Sequence, residues 1–231
     1  MKHFLTLSLI AVLSSCITTQ KKDNKNQTAK ADTAQLEVEL LLNEEPLEET
    51  KKLNIEFVLY DNAPLDEEAN ISDKLNHISE QLHTKYNLAK QTDTVRVHVW
   101  RDYEDYLAAQ KRITGTEFRG SRGYIFGPTD IGLFYDANII EAAEHEFVHA
   151  SSLAINDQLG HKNRWLWEAF AIYEADEFIH PKDLAYLRKG EFPSMAELNG
   201  EFSGESANRI YEVGFLLSEF VVENWSEKKY L

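Results

Sequence analysis

Hydrophobic positions follow two different rhythms in the two halves of the chain. In the first half they come in short runs or strict alternation. Leu36–Leu42 (LEVELLL) and Asn54–Tyr60 (NIEFVLY) are β-prone runs, and Thr94–Trp100 (TVRVHVW) alternates apolar and polar residues, as a half-buried strand does. Between the last two, Ile71, Leu75, Ile78, Leu82 and Tyr86 recur at intervals of three and four, which predicts a helix over Ile71–Leu88 with His77 and His83 on its wet side. A shorter helix is expected over Arg101–Ile113. The Gly-rich stretch GTEFRGSRGYIFGPTDIGLFYD follows, with Gly127-Pro128-Thr129-Asp130 as a turn signal between two β-prone pieces, and predicts a hairpin. From Asn138 the spacing is helical almost to the end. Asn138 and Glu141 have the form of a capping box, and further helices are expected at Trp165–Phe178, Lys182–Lys189 and Ser206–Trp225. The pattern as a whole predicts an α+β fold, with a small N-terminal mixed β-sheet and its helices followed by a mostly helical half. No internal repeat is evident.

The N-terminus departs from this pattern. Lys2 and His3 precede an apolar run, Phe4–Leu13, of about ten residues, whereas a membrane-spanning helix needs about twenty. Residues 1–15 therefore read as a secretory signal. Leu13-Ser14-Ser15-Cys16 resembles the lipobox of bacterial lipoproteins, in which cleavage before the cysteine is accompanied by lipidation of its thiol. That resemblance implies a membrane anchor through Cys16, durable because several acyl chains carry it. Ile17 is not the aspartate associated with inner-membrane retention, so the resemblance favours the outer membrane of a bacterial envelope. Cys16 is the chain's one cysteine, and a mature disulfide within the chain is excluded. The segment ITTQKKDNKNQTAKADTAQ, closing at Gln35, has too few large apolar side chains to offset the entropy of ordering and reads as a tether. Residues 36–231 remain for one folded domain.

The formal charge of the 231-residue chain is −15. Removing the leader, whose one charged residue is Lys2, makes it −16. Such a surface repels phosphate backbones, which excludes nucleic acid as the main partner. It selects no other substrate.

The candidate chemistry lies in AAEHEFVHASS. With Ile139 at zero and a step of about 100° per residue, Ile139, Ile140, Ala143, Phe147, Ala150 and Leu153 form one apolar sector, and His145, Glu146 and His149 fall beside it. Two imidazoles at i and i+4 can direct ring nitrogens at one Zn²⁺, with the intervening glutamate close enough to take a proton from water at the metal. This is the HExxH spacing. A third ligand is offered by RWLWEAFAIYEADEF, where Glu168 sits in a helix apolar on nearly all sides. A buried carboxylate demands a partner: a metal, or an arginine such as Arg164 or Arg209.

Eighteen residues separate His149 from Glu168, and WLWEAFAIY resembles the WLNEGFAxY segment of aminopeptidase N and its gluzincin relatives. The resemblance is close over about thirty residues. It implies a zincin-like metallopeptidase domain with Zn²⁺ on His145, His149 and Glu168 and with Glu146 as general base. More loosely, PSMAELNG and Tyr211 in NRIYEVGFLLSEF are similar to the tail of small peptidase-MA-like proteins. This implies that Tyr211 donates a hydrogen bond to the developing oxyanion; as a bare sequence feature it reads equally well as a packing tyrosine. The hairpin would supply an edge strand, expected at Ile131–Tyr135, to which a peptide or protein substrate adds. There are departures from the family. Ala169 stands where many relatives have glycine, the family's later glutamate falls one position early at Glu174, a thermolysin-type aspartate is replaced by Ile172, and the GxMEN motif is missing. Aminopeptidase specificity is therefore not carried over. Glu141, Glu144 and backbone carbonyls are candidates for orienting the imidazoles. His98, His161 and His180 lack partners at ligand spacing and read as structural or surface residues. The competing readings are a non-catalytic zinc-binding lipoprotein that holds an envelope partner or peptide, and a structural anchor with no metal.

Overall fold

The alternating segment around His98 becomes an inner strand of a four-stranded sheet in the computed structural model, which describes residues 52–64, 66–86, 94–156, 164–198 and 205–225. The leader, the tether and the Leu36–Leu42 run lie outside the described residues. Strand β1 is Ile55–Tyr60, β2 Val95–Trp100, β3 Gly123–Ile125 and β4 Asp130–Phe134, in the order β1-β2-β4-β3. The first two contacts are parallel and β3 runs antiparallel to β4, so the sheet is mixed. Seven α-helices are present among the described residues: α1 Glu68–Tyr86, α2 Tyr103–Thr114, α3 Ile139–Ile155, α4 Arg164–Glu174, α5 Ala185–Arg188, α6 Met195–Leu198 and α7 Glu205–Trp225. The class is α+β, as the apolar pattern predicted.

Strand periodicity decides which residues meet which helix. Val95, Val97 and Val99 of β2 share a face with Ile131 and Leu133 of β4, because the register pairs Val97 with Ile131 and Val99 with Leu133. That face buries against Ile71, Leu75, Ile78 and Leu82 of α1 and against Ile139, Ala143, Phe147 and Ala150 of α3. The opposite face carries Trp100 and Tyr124, covered by Tyr106, Leu107 and Ala109 of α2. Helix α4 joins two cores. Its Phe170 and Ala171 complete the sheet-side core, while Ala169 meets Ile210 and Val213 of α7. The approach of α4 to α7 is close enough that a Cβ on Gly214 would stand 2.7 Å from Ile172 Cδ1 and 3.2 Å from Ala169 Cα. A side chain there would force Ile172 and α4 to shift. Ser218 Oγ adds a hydrogen bond to the Ala169 carbonyl at 2.7 Å.

Four local expectations are corrected. Strand β4 is paired on both sides, so the edge strand is β3 rather than Ile131–Tyr135. Helix α3 begins beside Asn138 as expected, but without a side-chain cap. The Asn138 amide N–H donates to Asp136 Oδ1 at 2.7 Å, and with its carboxamide turned to satisfy both partners the Asn138 oxygen accepts from Arg122 at 3.2 Å. Helix α4 stops at Glu174 instead of Phe178, because Asp176 turns into the left-handed region at φ 57°. The expected Lys182–Lys189 helix is a 3₁₀ turn, Pro181–Asp183, and the single turn α5, split where extended Leu184 inserts its side chain into the core.

Candidate metal centre

His145 and His149 lie one turn apart on α3, and the buried apolar sector of that helix fixes which way they face. Their ring centroids are 4.7 Å apart with planes at 81°. Glu168 on α4 reaches into the angle between them, its Oε2 lying 3.2 Å from His149 Nε2 and 3.4 Å from His145 Nε2. One ligand atom from each residue lies within 4.8 Å of the others, and this buried group could hold a metal ion. Arg209, one arginine candidate for Glu168, is engaged with Glu197 at 3.5 Å. The other, Arg164, does touch Glu168, with Nε 3.4 Å from Oε1.

The two helices are locked at this point by an indole. Trp167 lies over the His149 ring with a centroid distance of 4.1 Å, and its Nε1–H donates to Ser152 Oγ at 2.8 Å. That hydroxyl in turn donates to the His149 carbonyl at 2.7 Å. His149 Nδ1 is buried with no hydrogen-bond partner among the described residues. His145 is held differently: its Nδ1–H donates to Glu177 Oε1 at 2.7 Å. Of the orienting groups suggested by the sequence, Glu141 is exposed and Glu144 pairs with Lys74 at 3.0 Å. Glu174 is buried on Lys85 Nζ at 2.9 Å and the Tyr86 hydroxyl at 2.8 Å.

Glu146 lies under the edge strand. A Cβ built on Gly123 of β3 would stand 2.7 Å from Glu146 Oε1 and 2.8 Å from its Cδ, so the absence of a side chain at 123 makes the space that this carboxylate occupies. Tyr211 of α7 joins them, with its ring centroid 6.2 Å from that of His145. The structure thus brings His145, Glu146, His149, Glu168 and Tyr211 together. His98 is elsewhere, held between the Tyr60 hydroxyl and Asp130 at 3.1 Å each, and His180 caps the 3₁₀ turn. His161 lies outside the described residues.

Burial and charge pull these groups apart. Burial pushes the Glu146 carboxyl up to about 8, with Glu168 and Glu177 adding and His145 opposing. It likewise disfavours the His145 cation, but the carboxylates of Glu168 and Glu177 outweigh it and hold that imidazole well above its usual range. His149 is depressed by burial. Burial alone would raise Glu168, yet the two imidazoles hold it well below the usual carboxylate range. Burial and the charges of Glu168 and Glu146 raise the Tyr211 phenol, which stays a proton donor at neutral pH.

Gly123 and Glu177 carry no signal in the sequence. Each meets the site through tertiary approach rather than at helical spacing. No family model matches the chain, and no curated protein or solved structure matches it. The assignment of chemistry therefore rests on the residues themselves.

Proposed function

We propose that the protein is a zinc-dependent hydrolase of peptide bonds, of the gluzincin type, anchored in a bacterial cell envelope through lipid on Cys16. The observation that carries this reading is the convergence of two imidazole nitrogens on one carboxylate oxygen beside a second, unligated glutamate. Ligand atoms bound tetrahedrally at the usual zinc distances of about 2.0–2.1 Å stand about 3.3 Å from one another. The carboxylate-to-imidazole separations of 3.2 and 3.4 Å match two edges of that array, and the three ligand atoms all lie within 4.8 Å of one another. A zinc ion on these residues would polarise a carbonyl and make water a competent nucleophile near neutral pH.

The chain's own residues supply the remaining steps. Glu146, whose raised carboxyl the charge of a bound cation would bring back down, takes the proton of the attacking water as the water oxygen bonds to the scissile carbon, and returns it to the amide nitrogen as the C–N bond breaks. Tyr211 donates its phenolic hydrogen bond to the carbonyl oxygen as that atom gains charge. The free edge of β3 accepts an extended peptide by backbone hydrogen bonds and passes it over Glu146, since Gly123 belongs to that strand.

Zinc content and cleavage together test the reading. The purified protein is expected to carry about one zinc per chain, lost in His149→Ala, and to cut members of a broad peptide library that Glu146→Gln leaves intact. Stoichiometric zinc with no cleavage would favour the non-catalytic binder. The Arg164 contact favours a third reading, a buried ion pair with no metal, whose signature is far less than one zinc per chain.

A further inference from the structure

We propose that Glu177 is the positioning residue of the metal site, fixing the tautomer and orientation of the His145 ring; this rests on the metal reading above. The contact is short, at 2.7 Å, and places an ionisable acceptor on the one ring nitrogen of His145 that does not face Glu168. A carboxylate on Nδ1–H leaves the lone pair on Nε2, the atom that points into the cluster. No other described carboxylate is placed to do this. Glu141 is exposed, and Glu144 and Glu174 are committed to lysines.

The backbone at the end of α4 is built to deliver this side chain. Asp176 takes the left-handed conformation at φ 57°, its N–H returning to the Tyr173 carbonyl at 3.3 Å, and the Glu177 N–H returns to the Ile172 carbonyl at 2.9 Å. This is the 6→1 and 5→2 pattern of a Schellman helix end. Glycine usually occupies the left-handed position, and the residue after it usually makes an apolar contact back to the helix. Here the first is an aspartate and the second a carboxylate turned onto a histidine. A helix end that breaks its local rules on behalf of a neighbouring side chain marks a functional constraint.

Metal affinity, measured by chelator competition with zinc as the probe, separates this role from a structural one. Glu177→Ala is expected to weaken zinc binding by about 10- to 100-fold, with Glu177→Gln between it and the parent, because the amide oxygen still accepts from Nδ1–H but carries no charge. Proton NMR of the zinc-loaded proteins should show the His145 Nδ1–H shifted far downfield by its short carboxylate hydrogen bond in the parent, and less so in Glu177→Ala. Thermal melts of the metal-free proteins should remain single and cooperative for parent and Glu177→Gln alike, and Glu141→Ala should bind zinc like the parent. Affinity within twofold of the parent in both Glu177 variants, with His149→Ala abolishing binding, would overturn the positioning role and leave the metal site standing. A parent that binds no zinc would sink both.

Discussion

Gly123 offers the most direct trial of the geometry around the proposed general base. It lies in a strand, where alanine is conformationally ordinary, so the cost of Gly123→Ala should come from Glu146 rather than from the backbone. Non-bonded carbon and oxygen atoms settle at about 3.5–4.0 Å. The alanine Cβ would meet Glu146 Cγ most closely of all, with Oε1 at 2.7 Å and Cδ at 2.8 Å, and the whole side chain must retreat by about 1 Å or more. Overpacking of this size costs about 1–3 kcal/mol. Removing the clashing side chain should remove the cost. In a Glu146→Ala background the same substitution is expected to cost less than about 0.5 kcal/mol, so the two changes are coupled by about 1–2 kcal/mol. Urea unfolding of the four proteins measures it. On the activity side, a reacting group misplaced by about 1 Å loses about 100-fold, and Gly123→Ala should show that loss in kcat/KM while keeping its zinc. Additive stabilities across the cycle would refute the proposed contact, and full activity in Gly123→Ala would refute the place given to Glu146.

Two further expectations concern the scaffold. Lys85→Met leaves the fully buried Glu174 carboxylate with the Tyr86 hydroxyl as its remaining described partner. It should cost about 3 kcal/mol, read as a lowered denaturant midpoint, with part of the loss recovered on adding Glu174→Gln. At the sheet surface, burial would raise the Asp130 carboxyl, but hydrogen bonds from Thr129, His98 and Arg96 outweigh it and leave a net depression. A carboxylate whose folded pKa is below its unfolded one stabilises the protein above about pH 4 and loses that contribution as pH falls through the folded value. Asp130→Asn should flatten the acid limb of a stability–pH curve below about pH 4 and leave its shape above pH 5 unchanged.

How far the chain could be read without coordinates follows from what each feature depends on. The strands β1 and β2 and the helices α1 and α3 were legible because their apolar positions repeat at the period of the element. His145, His149 and Glu168 were legible for a related reason. Helical spacing places the first two on one side of α3, and an all-round apolar helix leaves the third in need of a partner. The edge strand was misassigned because alternation shows that two strands form a hairpin without showing which of them pairs with β2. The missing cap at Asn138 and the early end of α4 were set by competing neighbours, Arg122 with Asp136 in one case and the left-handed Asp176 in the other. Glu146 under Gly123 of the edge strand, Glu177 on His145 and Lys85 on Glu174 were invisible, because each joins segments that no local period relates.

The narrow gap at Gly214 gives the last long helix a task beyond covering apolar surface. Helix α4 is gripped between the sheet-side core and α7, so the depth at which Glu168 sits is set by a segment synthesised long after both histidines. A nascent or truncated chain ending before residue 205 would own every proposed metal ligand and still lack the wall that presses the third one home. If the proposed site takes up an ion, that capture would wait on the docking of α7 against α4.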